Sequence, residues 1–286
     1  KGESMDWNKT SSILITAFII LNIFLFISSY NDISSEEYDV TSDAEFIQNM
    51  ENVLMERDIV IDCELPKETY LLPVLDTEYE IIQINQELLT RFLGSEVEPV
   101  EDVTVYSNGN GEVLEIIDGK KLQYTIRENT AGIIEDEDKL TEEIDRFIEE
   151  KRIDAQGYSE TCRKISEYGS LVIYTKKYNA FSIDNAYMYF YMDNDGIYKF
   201  EMQNIVSIKE IAGKIRTFSA AEALPRLLSF EDVKNKKITE INMTYYSIED
   251  ENWQFVYRIN SYPVWKVIFS DGTQKHLPTI NIYNME

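Results

Sequence analysis

Tyr187-Met-Tyr-Phe-Tyr-Met-Asp-Asn-Asp195-Gly196-Ile-Tyr-Lys-Phe200 decides how the rest of this chain is read. Strand-forming aromatic residues stand on both sides of an Asp-Gly pair, which predicts a β-hairpin. Two other stretches repeat the design. Glu112-Val-Leu-Glu-Ile-Ile-Asp118-Gly119-Lys-Lys-Leu-Gln-Tyr-Thr-Ile126 comes before it, and Val264-Trp-Lys-Val-Ile-Phe-Ser-Asp271-Gly272-Thr-Gln-Lys275 comes after. The turns lie 77 and 76 residues apart. Helix openings precede the last two hairpins: Thr141-Glu-Glu-Ile-Asp-Arg-Phe-Ile148 and Ala220-Ala-Glu-Ala-Leu-Pro-Arg-Leu-Leu228. The first sets Leu140, Ile144, Phe147 and Ile148 on one face. The second carries Pro225 inside its first turns, so it should begin late or kink. The fold expected is α+β, built from repeated helix-plus-antiparallel-meander units at about 138–210 and 217–284. Trp265 should be buried on a sheet face against a repeat helix.

Working outward, residues 84–93 read as a helix stopped by Gly94. Residues 58–65 and 69–75 read as strands, with Pro73 pushing the second towards a sheet edge. Phe46, Ile47, Met50, Val53 and Leu54 form one helical stripe. Residues 44–136 are read as an N-terminal ectodomain and 137–286 as a C-terminal one.

Thr10 to Asn31 holds 22 residues without a charge, roughly 33 Å as a helix and enough to cross a bilayer. The expected layout is a cytoplasmic tail at 1–11, a transmembrane helix at 12–30 and an acidic stalk at 31–43. Lys1 and Lys9 precede the run, and the next basic residue is Arg57. The N-terminus should therefore be cytoplasmic and residues 31–286 extracellular, at the plasma membrane. A cleaved signal peptide is the rival reading, with Ser28-Ser29 as a loose cleavage site. Bulky Ile27 and a thin basic region argue against it. Met5 reads as a natural start. Within the span, Asn22 places an amide in hydrocarbon, where a partner on another helix would satisfy it; tolerance at modest cost is the bland alternative. Ser12 and Thr16 allow close helix approach, and Phe18 and Leu25 complete the expected partner-contact residues.

The chain carries 52 acidic and 27 basic residues, a net charge of −25. Such a surface repels nucleic acid and anionic head groups. Solubility explains it plainly; a basic partner or wall cations are the functional alternative. Nineteen Tyr and thirteen Phe point to a β-rich ectodomain. Cys63 and Cys162 are the only cysteines. They could close one disulfide or remain buried thiols.

Little here points to catalysis. His276 is the only histidine, which excludes a multi-histidine metal site and leaves an exposed structural role at a strand end as its expectation. Asp193-Asn-Asp-Gly196 lacks the acids that a calcium loop needs at residues 191 and 202. Asn108-Gly-Asn-Gly111 lacks the Lys-Ser/Thr of a phosphate loop. Acidic residues 135–138 suit a helix start. No carboxylate pair stands out for glycoside hydrolysis. No catalytic residue, cofactor or metal ligand is expected.

Met5-Asp-Trp-Asn-Lys-Thr10, the membrane run containing Leu21-Asn-Ile-Phe-Leu25, Phe218-Ser-Ala-Ala-Glu-Ala-Leu224, Ile238-Thr-Glu-Ile-Asn-Met-Thr-Tyr-Tyr246 and Pro263-Val-Trp-Lys-Val267 resemble the YycI regulatory proteins of the WalK (YycG) system. The order and spacing cover nearly the whole chain, the middle only loosely. The end departs from the family pattern: Ile282-Tyr-Asn-Met-Glu286 stands where a small-residue segment with Gly is common. The resemblance implies a non-enzymatic, membrane-anchored regulator. Its partners would be a WalK-like sensor histidine kinase and a YycH-like accessory protein, engaged partly through transmembrane helices. Helix-plus-meander units also resemble PepSY domains, which gives an alternative: an extracellular binding or protease-inhibitory module. An anchored carboxylate hydrolase is the third reading.

Overall fold

Alternating burial along the long strands generates one sheet system with helices laid on part of it. The structure is a computed structural model and describes residues 44–134, 136–247 and 256–280. The expected tail, transmembrane helix and stalk, with Ser12, Thr16, Phe18, Asn22 and Leu25, lie outside them. No helix among the described residues is long and apolar enough to cross a membrane. Contacts divide the chain after Asn52, and Val53–Glu286 forms one compact unit.

Helix α1 spans Ala44–Met55. On the expected stripe Met50 and Leu54 are buried, whereas Phe46 and Val53 are exposed. Strand β1 is only Val60–Ile61 and runs parallel to β11 (Lys237–Tyr246). It is shorter than the expected 58–65, and β8 (Phe181–Asp193) pairs with the same edge of β11 further along, at Thr244 and Tyr245. Strand β2 (Leu71–Tyr79) lies between β10 (Ile205–Arg216) and β12 (Arg258–Phe269). Pro73 sits in the part of β2 that pairs with β10 alone, before pairing to β12 begins at Leu75. A proline needs one side of its strand free of a ladder donor, and this position supplies it.

One core gathers helix α2 (Gln86–Leu93), helix α3 (Glu137–Glu150) and a seven-strand antiparallel array. The array runs β3 (Val105–Ser107), β4 (Val113–Ile117), β5 (Lys121–Thr125), β9 (Gly196–Gln203), β8, β7 (Gly169–Tyr178) and β6 (Tyr158–Ser166). Leu88, Leu89 and Phe92 of α2 and Leu140, Ile144 and Phe147 of α3 pack with Leu114, Leu122, Tyr124, Phe190 and Phe200. Residue 136, the expected domain boundary, therefore falls inside one core and not between two. Asn85 caps α2 by accepting from the Leu88 N–H at 2.9 Å, and Gly94 ends it with φ +95°.

Beyond β8 the pairing continues through β11, β12 and β2 to β10, with β13 (Gln274–Pro278) on β12. Leu75, Tyr79, Ile183, Ala186, Ile205 and Tyr245 form a second core. Helix α4 holds only Ala220–Ala223, after a capping box between Ser219 and Glu222. Pro225 then turns the chain into 3-10 geometry over Leu224–Ser229, as a proline lacking a helical donor requires. Trp265 is 1% exposed, and its indole N–H donates to the Phe218 carbonyl at 2.9 Å, immediately before α4.

The three Asp-Gly pairs share a dipeptide but not a turn. Asp118 and Gly119 both take positive φ, +51° and +66°, and the Lys120 N–H closes on the Ile117 carbonyl at 3.1 Å. In the other two only the glycine does, at +107° for Gly196 and +86° for Gly272. There the turn is centred one residue earlier, since Asp193 pairs with Gly196 and the Gly272 N–H reaches Phe269. The β4–β5 turn is further held by Lys120. This residue is fully buried, donates to the Val256 carbonyl at 2.8 Å and lies over the Tyr79 ring.

Candidate functional site: a groove where β8 changes partners

Strand β8 serves two sheets in succession. Residues 187–193 pair with β9, and residues 182 and 183 pair with β11. Between these stretches its register against β7 jumps from Thr175↔Tyr187 to Lys176↔Ile183. Asp184, Asn185 and Ala186 therefore have no β7 partner and bulge from the ladder. Bulges of this kind re-aim side chains, and here Asp184 and Asn185 turn into a groove of about 300 Å³. A second hollow of about 420 Å³ adjoins it, sharing Ile173, Asp184 and Lys266. It opens along β11 between the residues held by β1 and those held by β8.

Asp184 anchors the groove. Its side chain is 7% exposed, with Oδ2 2.6 Å from His276 Nε2 and 3.0 Å from Lys266 Nζ. Thr244 Oγ1 lies 3.0 Å from Oδ1. Burial alone would raise the carboxyl pKa. The His276 hydrogen bond and the Lys266 charge outweigh burial and hold it below the usual carboxylate value. The His276 ring lies flat on Tyr246, centroids 3.8 Å apart and planes 1° from parallel. His276 thus departs from the exposed role expected for it: β13 pairs His276 opposite Lys266 and carries the ring inward.

The groove floor is aromatic. Strand alternation puts Phe190 and Met192 into the helix-covered core and Tyr187, Tyr189 and Tyr191 on the opposite face. Tyr187 and Tyr189 stack at 4.3 Å, and Tyr189 meets Tyr191 edge-on at 6.4 Å. Burial, with the charges of Asp184 and Glu201 behind it, raises the Tyr189 phenol to about 12. Beside this row Glu201 is paired with Lys121 at 3.0 Å and Lys199 at 2.7 Å. Burial opposes ionisation of Glu201, and these two cations more than offset it, so its pKa is lowered.

Elsewhere the acidic motifs prove structural. Asp193 is fully buried and held by Arg127, Nη1 to Oδ2 at 2.5 Å and Nη2 to Oδ1 at 2.6 Å. It also accepts from the Thr130 and Asp195 N–H groups at 2.9 Å each. Burial would raise its pKa, but these donors hold it well below the carboxylate range. Asp136 caps α3, accepting from the Asp138 and Lys139 N–H groups. Cys63 and Cys162 are partly buried free thiols. Burial, then Asp62 and Glu240, raise the Cys63 pKa, and Cys162 lines the second hollow. No group of three or more His, Cys, Asp or Glu able to hold a metal occurs among the described residues.

The sequence signalled the tyrosine row but not the groove. The bulge is a register event between β7 and β8, and nothing in Asp184-Asn-Ala186 announces it. Asp184 and His276 are 92 residues apart.

Fold and groove define a β-rich α+β protein with an aromatic, charge-paired cleft between two sheet halves. The sequence pattern of the YycI protein family matches residues 39–282, and the chain belongs to that family. Among solved structures it is similar to an uncharacterized protein from Eubacterium rectale, at 10% identity and a TM-score of 0.48, over 84% of this chain and 95% of that one. It is also similar to YycH from Bacillus subtilis, at 13% identity and a TM-score of 0.48, over 76% of this chain and 54% of that one. The C-terminal domain of YpeB from Bacillus megaterium matches at 10% identity and a TM-score of 0.35, over 67% and 95%. A comparison with curated proteins finds no match.

Proposed function

We propose that this protein is a non-enzymatic regulator of a WalK-like sensor histidine kinase, anchored by residues 12–30, with residues 31–286 outside the cell and a YycH-like protein as companion. Membership of the YycI family is the observation that carries the reading. The charge-free run Thr10–Asn31 and the absence of basic residues from there to Arg57 support the anchor and its direction. The groove carboxylate Asp184 is engaged in ion pairs with Lys266 and His276, which suits contact more than catalysis.

Such a regulator works by differential contact. It binds one conformation of the kinase more tightly than another, and the difference in affinity sets how far the equilibrium moves. Packing of the anchor against the kinase's own helices is the proposed carrier, with the Asn22 amide as an interhelical hydrogen-bond donor and Ser12 and Thr16 permitting close approach. The test replaces residues 12–29 with an unrelated helix of equal length and charge. Regulation should be lost while the exchanged protein still reaches the membrane. Unchanged kinase output would overturn the helix-mediated account.

A further inference from the structure

We propose that Asn110, at the tip of the β3–β4 turn, is a site of spontaneous covalent modification, losing ammonia to become aspartate or isoaspartate, while Asn108 two residues earlier is protected from the same reaction. The chain has two Asn-Gly pairs, Asn108-Gly109 and Asn110-Gly111, and they stand side by side. Glycine after asparagine makes the chemistry accessible. With no Cβ on the following residue, its backbone nitrogen can approach the asparagine Cγ unhindered. By sequence the two pairs are equivalent, and the structure separates them.

Asn108 is held at both ends of its amide. Its Nδ2 donates to Glu112 Oε2, and its Oδ1 accepts from the Asn110 N–H at 2.9 Å. The nitrogen that would attack it is engaged as well, because the Gly109 N–H donates to Ser107 Oγ at 3.2 Å. To cyclise, the Asn108 amide must leave these partners and turn onto Gly109, which adds the cost of broken hydrogen bonds to the barrier. Asn110 carries no such restraint. Among the described residues its side chain has no hydrogen-bond partner, and neither has the Gly111 N–H. The strand ladder ends at Ser107↔Val113, so residues 109–111 lie outside it. Asn110 and Gly111 are both exposed, and a Cβ placed on Gly111 would meet nothing within 4 Å. Water and the rotating side chain both have room.

The step balances with water as the only co-reactant. The Gly111 nitrogen gives its proton to water and forms a bond to Asn110 Cγ. The Cγ–Nδ2 bond breaks, and Nδ2 leaves as ammonia. A second water opens the resulting five-membered imide at either carbonyl. One opening gives aspartate; the other gives isoaspartate, with the backbone rerouted through Cβ and Cγ. Either product adds one negative charge to a turn that already holds Glu112.

The test incubates the full-length chain in lipid nanodiscs at neutral pH, and in parallel the chain unfolded in urea. Peptide mass spectrometry follows each asparagine separately, and an isoaspartyl methyltransferase marks the isoaspartate. In the folded chain Asn110 should convert at least about tenfold faster than Asn108, equal to about 1.4 kcal/mol of barrier. In urea the two rates should converge, since only the fold distinguishes the pairs. Ser107→Ala combined with Glu112→Ala should speed Asn108 in the folded chain and leave Asn110 unchanged. Should that variant disturb the turn, the comparison of folded and unfolded chains carries the test alone. Equal rates in the folded chain overturn the proposal. So does a folded Asn110 that stays intact while the unfolded one converts, or a difference between the two that persists in urea.

Discussion

At the scale of single residues, Asp184 is the group on which His276, Lys266 and Thr244 converge. Its carboxyl pKa lies below the ordinary carboxylate value. A depressed folded-state pKa contributes stability that is present above the unfolded value, near 4, and is lost as pH falls through the folded one. Acid titration of the native protein should therefore show stability falling below about pH 4. Asp184→Asn should flatten that fall and, by leaving Lys266 and His276 without their anion, cost about 3–5 kcal/mol at neutral pH. Denaturant melts at several pH values check both effects, and an unaltered profile in the variant would remove Asp184 as the anchor. Trp265 belongs to the same scale. It is 1% exposed with its N–H satisfied, and Trp265→Ala should cost about 3–5 kcal/mol. A variant with wild-type melting temperature would contradict its place in the core.

Elements were more legible than their joints. Gly169 and Gly119 show the difference. Both take positive φ, but an added Cβ at Gly169 would meet the Met192 carbonyl oxygen at 2.6 Å, whereas at Gly119 it meets nothing within 4 Å. Gly119→Ala should cost about 1–2 kcal/mol of backbone strain, and Gly169→Ala should cost clearly more, because β7 must also shift away from β8. Equal melting temperatures for the two variants would refute this. The hairpins, the α3 face and the break at Pro225 could be read because each depends on residues adjacent in sequence or one helical turn apart. Turn geometry could not: Asp118-Gly119 and Asp195-Gly196 look alike and differ in which residue goes left-handed, since that is set by strand register. For the same reason β1 is two residues and not eight, and His276 is inward. The pairing of β1 on β11 and the pairing of β13 on β12 are both long-range outcomes.

At the scale of the whole molecule, residues from both sides of position 136 build one core, and β8 links that core to the second sheet half. The extracellular placement proposed above rests on the absence of Lys and Arg from residues 32–56. The most direct measurement of the central claim is autophosphorylation of a purified WalK-like kinase in nanodiscs, with and without the full-length chain and its YycH-like companion. The account expects the rate to change with added chain and to return to baseline when residues 12–29 are exchanged. A rate that stays constant up to stoichiometric excess would contradict it.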